Sequence, residues 1–148
     1  MIRLGNKFDT PDIIKMLKDY RSATPWARMN QCDNETYIKT LLQQVFAGQG
    51  LVLIAEREQQ PVGMLIAIKN PNIWDPSLLV MNELCYWVDP EHRGGTSGYR
   101  LLAAYKEHCD RLKEQKVIEA YTISKMVNSP DLDYGRFGFE KLEEMWRH

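Results

Sequence analysis

Residues 93–98 read Arg93-Gly94-Gly95-Thr96-Ser97-Gly98, a run of small residues between two segments of different periodicity. Residues 78–88 before it are apolar and β-forming with no internal Gly or Pro, which predicts a strand. Asp89-Pro90 ends that strand, because proline has no N–H to give to a sheet. From Gly98 onward, small or apolar residues at 98, 101, 102, 105, 109 and 112 make a helical stripe. A small-residue loop at a helix start leaves several backbone N–H groups unpaired and pointing one way. Together with the positive end of the helix dipole they form an anion site, and phosphate is its usual guest. A P-loop would need Lys-Ser or Lys-Thr after its glycines, and none is present. A dinucleotide-binding fold sets its glycines after the first strand of a βαβ unit, whereas this loop follows what reads as the third strand of an antiparallel meander.

The elements that must position the loop follow in order. Residues 2–4 are a short strand. Asp9-Thr10-Pro11 starts a helix, with a capping side chain and then proline, and Ile13, Ile14, Leu17 and Tyr20 share one face. Residues 23–27 are irregular, with Trp26 read as core filler. Asp33 or Asn34 caps a second helix carrying Ile38, Leu41, Leu42 and Val45, which Gly48 and Gly50 stop. Residues 51–56 and 61–69 form a hairpin, and residues 70–77 a proline-marked loop bearing Trp74. A helix over 95–116 and a strand over 117–123 follow. Asn128-Ser129-Pro130-Asp131 starts a short helix ended by Gly138, and 139–146 reads as the last strand. The expected fold is α/β (α+β): one domain over residues 1–148, with a mixed, mostly antiparallel twisted sheet of six strands flanked by four helices.

This order, and the sequence V-D-P-E-H-R-G-G-T-S-G at residues 88–98, resembles the GNAT family of N-acetyltransferases. Their signature, Arg/Gln-x-x-Gly-x-Gly/Ala, lies between the fourth strand and the third helix, and Thr96 stands where it has its first Gly. A second segment, Tyr134-Gly135-Arg136-Phe137-Gly138-Phe139, resembles the family's Tyr-x-x-x-Gly-Phe, with Asn128 matching an upstream Asn. The resemblance implies acetyl-CoA as acyl donor, with its pantetheine arm along Trp87 and Val88. It places the pyrophosphate on the main-chain N–H groups from Arg93 through Tyr99. Arg100 and Lys106 lie on the helix that would face the 3′-phosphate, although a solvated helix face explains them equally well. It further implies Glu83 as the base that deprotonates the acceptor amine and Tyr134 as the acid that protonates the departing sulfur. A base matters because an amine with a pKa of about 10.4 is only about one part in a thousand neutral at pH 7. By strict alternation Glu83, Cys85 and Trp87 share a face, unless a bulge shifts the phase. No His or Asp at a recognisable spacing activates Cys85, so it reads as a buried structural thiol.

Composition bounds the rest. The 148 residues are 44% hydrophobic and 26% charged, with a net charge of −1, which suits one globular domain and argues against a nucleic-acid partner. No apolar run is long enough to span a membrane, so a cytoplasmic location is expected. Cys32, Cys85 and Cys109 are far apart and odd in number, and with His92, His108 and His148 they make no metal-ligand spacing. The opening residues are loosely similar to small bacterial and phage members of the family. A sheet ending soon after its sixth strand would carry an exposed edge, which predicts a homodimer. The expected activity is acyl-CoA-dependent N-acylation, most simply acetyl transfer to a primary amine by direct attack in a ternary complex. The alternative is a catalytically silent GNAT-fold binding or structural protein that retains CoA affinity.

Overall fold

A computed structural model describes all 148 residues. Strand β1 (Ile2–Leu4) leads into helix α1 (Thr10–Ala23) and helix α2 (Glu35–Gln44). Strands β2 (Gly50–Arg57), β3 (Gln60–Pro71) and β4 (Leu79–Val88) then form a meander. Helix α3 (Ser97–Glu114) and strand β5 (Ala120–Thr122) complete the elements. The sheet order is β1-β2-β3-β4-β5. Every pairing is antiparallel except that of β4 with β5.

Both faces of the sheet are covered, which explains why β2 and β3 are continuous apolar runs rather than alternating ones. Leu51, Leu53, Leu65, Ala67 and Met81 pack on one side against Leu101, Tyr105 and Cys109 of α3. Val52, Ile54, Met64, Ile66, Cys85 and Trp87 pack on the other side against Ile13 and Met16 of α1 and Leu42 of α2. Each fully buried Leu or Ile contributes roughly 1.5–3 kcal/mol. Asn34 caps α2 by accepting from the Tyr37 N–H, and Gly48, at φ 107°, lets the chain turn out of the helix into β2.

The register between β3 and β4 slips once. Ile66 faces Cys85 but Ala67 faces Glu83, leaving Leu84 as the extra residue of a β-bulge. The bulge inverts the alternation expected for β4. Cys85 and Trp87 turn toward α1 and α2, while Glu83 pairs with Ala67 of the α3 side. The three side chains therefore do not share one face.

The second half departs from the expected element count. The sheet has five strands and is flanked by three α-helices. The predicted strand over 117–123 pairs only at Ala120–Thr122. The predicted helix starting at Asn128 is irregular chain with a single 3-10 turn, Tyr134–Phe137, which Gly138 closes. Three residues that compete with helical backbone, Ser129, Pro130 and Asp131, stand in a row there. Residues 139–146 make no sheet pairing. Trp26 is 47% exposed, so it is not core filler.

Asp9 also departs from its expected role. It does not cap α1. Its carboxylate accepts from Arg3 Nη1 at 2.9 Å and Nη2 at 2.7 Å, and from the Asn6 N–H at 2.8 Å. Arg3 Nε in turn donates to Glu56 at 2.6 Å. This bidentate knot joins β1, the start of α1 and β2. The Arg3 hydrogen bonds hold the Asp9 carboxyl below its ordinary value. Its stabilising effect is therefore complete above the unfolded pKa and disappears as pH falls through the lower folded one. Arg3→Ala is expected to cost about 2–3 kcal/mol near neutral pH, below the figure for a fully buried pair because Arg3 is partly exposed. In denaturant titrations the gap between parent and variant should narrow below about pH 3.8.

Candidate active site

Beyond Asn82 and Thr122 the two parallel strands separate. The last rung is held firmly: Asn82 Nδ2 donates to Thr122 Oγ1 at 2.7 Å, and the Tyr105 hydroxyl donates to the Thr122 carbonyl at 2.8 Å. β4 continues to Val88, so over residues 83–88 one of its edges has no strand neighbour. A cavity of about 280 Å³ opens in the fork. Its walls are Glu83 and Tyr86 to Val88 on β4, the loop entering α3, Tyr20 and Ala23 of α1, and a band between Met126 and Tyr134.

The α3 entrance supplies the donors. The backbone N–H groups of residues 94–99 meet no protein acceptor, and the first helical bond from this end is Arg100 N–H to the Thr96 carbonyl. Gly94 is the position that requires glycine, at φ 87°. Thr96 sits at φ −98°, a right-handed conformation that threonine adopts without strain, so the departure from the expected glycine pattern leaves the loop's shape intact. The exposed Arg93 side chain folds back along the end of β4: Nε donates to the Val88 carbonyl at 2.8 Å, and the guanidinium lies 4.5 Å from the Trp87 ring centre. Trp87 Nε1 donates to Asp89 at 2.9 Å. Tyr86, which the sequence did not single out, donates its hydroxyl to the Gly98 carbonyl and ties β4 to the first turn of α3.

Glu83 and Tyr134 converge on one residue. Glu83 Oε2 accepts from the Ser124 N–H at 3.0 Å, and the Tyr134 hydroxyl donates to the Ser124 carbonyl at 3.1 Å. Burial raises the Glu83 carboxyl to about 7, against the opposing pull of the Ser124 N–H. Burial, then the nearby Glu83 charge, pushes the Tyr134 phenol up to about 12. At neutral pH Glu83 thus exchanges a proton readily and Tyr134 holds one. Cys85 is fully enclosed, and burial raises its thiol well above the ordinary range, a condition that suppresses nucleophilicity.

The remaining expected residues divide. Asn128 lines the cavity, but its Nδ2 donates to the Ala23 carbonyl at 2.7 Å, stapling the 126–134 band to the end of α1. Lys106 is turned to Asp110 at 2.6 Å, while Arg100 is exposed. Trp74, 88% exposed at the tip of the β3–β4 loop, does not line the cavity. Tyr20 does, with its ring edge-on to Trp87 at 6.2 Å. In the sequence it carried only the signal of one more apolar position on α1. No group of His, Cys, Asp or Glu side chains is arranged to hold a metal ion, and no helix is long and apolar enough to cross a membrane.

Comparison with solved structures returns the same architecture. A GNAT family acetyltransferase of Staphylococcus aureus matches with TM-score 0.65 at 21% identity, covering 100% of this chain and 96% of that one. A predicted acetyltransferase of Clostridium acetobutylicum, solved with acetyl-CoA, matches with TM-score 0.73 at 14% identity over 99% and 94%. An aminoglycoside acetyltransferase from an uncultured soil metagenomic sample, in complex with trehalose, matches with TM-score 0.68 at 18% identity over 100% and 92%. No curated protein matches the sequence. The model of the Acetyltransferase (GNAT) family matches residues 13–139, which take in the fork, the α3 entrance and both convergent side chains, and the chain belongs to that family.

Proposed function

We propose that the protein transfers an acetyl group from acetyl-CoA to a primary amine by direct attack in a ternary complex. The observation that carries this reading is that one cavity is walled both by the α3 entrance, with its free N–H groups, and by the Glu83–Tyr134 pair. The residues fit the donor. Unpartnered N–H groups at a helix start suit a pyrophosphate, and the free edge of β4 at Trp87 and Val88 suits amides that bond like an added strand. Acetyl-CoA, when bound, supplies an activated acyl group and a thiol that leaves. Glu83, as carboxylate, takes the proton of the incoming ammonium directly or through a water. Tyr134 gives its proton toward the sulfur, releasing its bond to the Ser124 carbonyl. β4 backbone donors facing the fork stabilise negative charge on the carbonyl oxygen.

The second reading is a binding protein that keeps CoA affinity without turnover. The observation in its favour is that the Tyr134 hydroxyl is already committed to the Ser124 carbonyl. Binding and turnover experiments separate the two.

A side chain at Gly95 meets little: the nearest atom to an added Cβ is the His92 carbonyl oxygen at 3.8 Å. Gly95→Trp should therefore fold and fill the anion site. Acetyl-CoA at a hundred times its dissociation constant should stabilise the parent by about 2.7 kcal/mol in thermal unfolding, and the variant not at all. A folded parent that shows no stabilisation, and no heat in calorimetric titration, removes both readings.

An amine-acceptor screen tests turnover. The parent's kcat/KM should rise with pH through about 7, as Glu83 ionises. Glu83→Gln should flatten that limb and lower the rate by about 10²- to 10⁴-fold. Tyr134→Phe should lower kcat while leaving acetyl-CoA affinity unchanged. Binding with no turnover on any amine would favour the silent reading.

The same group makes a stability prediction. Because the Glu83 pKa is raised in the folded state, its effect favours folding below the unfolded pKa and is lost as pH rises through about 7. Glu83→Gln should thus gain stability relative to the parent between about pH 4.5 and 7, measured by urea denaturation at a series of pH values.

A further inference from the structure

Two tyrosines that line the cavity have committed hydroxyls: Tyr86 donates to the Gly98 carbonyl and Tyr134 to the Ser124 carbonyl. Tyr20 differs. Its ring is held edge-on to Trp87 at 6.2 Å and the side chain is half-buried, yet its hydroxyl bonds to no protein group. The hydroxyl is not sealed either, since the one enclosed side-chain polar atom without a partner is Arg21 Nε. Burial keeps the Tyr20 phenol protonated, and the Cys85, Glu83 and Tyr134 charges add to that effect. Tyr20 thus sits within electrostatic range of the two reacting side chains. It also lies at the opposite end of the cavity from the donor's anion site. α1 and α3 cover opposite faces of the sheet, and the bond from Asn128 to the Ala23 carbonyl draws the 126–134 band to the α1 end. Around Tyr20 the walls are Ala23, Met126 and the Trp87 ring. Glu83 is the only carboxylate in the lining, and Lys125, which lies over the Tyr134 ring, is paired with Asp131 at 2.8 Å.

We infer that Tyr20 binds the acceptor amine, and that the acceptor is a monoamine with an apolar arm rather than a polyamine or another polycation. The inference rests on the acetyl-transfer reading for the donor's place at the α3 end. Glu83 takes one proton of the ammonium, the Tyr20 oxygen accepts a hydrogen bond from a second N–H, and the freed lone pair faces the thioester carbon. The N–C bond forms, the C–S bond breaks, and the sulfur takes the Tyr134 proton. Tyr20 itself transfers no proton; it orients the nitrogen. The arm of the amine then lies against Ala23, Met126 and Trp87, where apolar surface is buried favourably. A second ammonium on that arm would lose water with no carboxylate to receive it, because Glu83 is already used. The cations in the lining, Arg93 and His92 when protonated, would repel it further.

Hexylamine and cadaverine test it, since they differ only in a terminal methyl against a terminal ammonium. Each is titrated calorimetrically into the protein saturated with coenzyme A, and each is assayed as acceptor with acetyl-CoA. The parent should bind hexylamine at least about tenfold more tightly than cadaverine. Tyr20→Phe keeps the ring contact and removes only a hydroxyl that no protein group uses, so it should fold. It should raise the hexylamine dissociation constant and KM by about tenfold or more, leaving acetyl-CoA affinity unchanged. Ala23→Glu, which supplies a second carboxylate, should turn the preference toward cadaverine. A parent that binds coenzyme A but neither amine overturns the inference. So does a parent that prefers cadaverine, or a Tyr20→Phe variant with parental amine affinity or with equal losses for amine and acetyl-CoA. The two readings fail separately. Amine binding that depends on Tyr20 with no acetylated product supports the subsite and removes acetyl transfer, whereas turnover indifferent to Tyr20 removes the subsite and keeps the transfer.

Discussion

The rest of the site depends on where one strand pairing stops. β4 and β5 run parallel for three rungs, Val80 with Ala120, Met81 with Tyr121 and Asn82 with Thr122, and then part. Asn82, Thr122 and Tyr105 lock the last rung with side-chain hydrogen bonds, so the fork has a fixed pivot. Immediately past it the bulge at Leu84 adds twist. Separation at this point exposes one edge of β4, brings the cavity down to Glu83, and lets the Ser124 N–H reach the Glu83 carboxylate. A β5 that paired two residues further would close the fork over Glu83.

The fork also explains the protonation states. A carboxyl on a continuous solvated strand would titrate at its ordinary value. Glu83 is instead half-buried in a cavity that it shares with Tyr86 and Tyr134, burial disfavours its charge, and only one backbone donor compensates. The result is a group balanced near neutrality beside a phenol that stays protonated, a division set by environment rather than by residue type. At the other end of the cavity, electrostatics come from the backbone. The α3 entrance offers N–H donors whose direction is fixed by helix geometry, with Gly94 supplying the left-handed residue and Tyr86 bracing the first turn.

The elements through α3 were largely legible in the sequence because their signals are local. Proline after Asp89 stops β4, Asn34 caps α2, and the stripe through Leu101, Tyr105 and Cys109 marks α3. The stretch after Thr122 was not. There, helix and strand had been expected over residues 128–138 and 139–146, but Ser129, Pro130 and Asp131 favour turns, and the last segment makes no sheet pairing. A short strand is specified by its partner more than by its composition.

The sequence by itself determined the element order through α3, the glycine-rich helix start, and the residue types of the candidate site, because each is encoded within a few neighbouring positions. Only the tertiary structure decided that Glu83 parts company with Cys85 and Trp87, that Tyr86 and Tyr20 join the cavity, and that Glu83 and Tyr134 meet at Ser124. Those outcomes turn on a one-residue slip in register and on the rung at which two strands separate. Both are properties of pairing between separate segments, Ala67 with Glu83 for the slip and Asn82 with Thr122 for the rung, and no local periodicity records them.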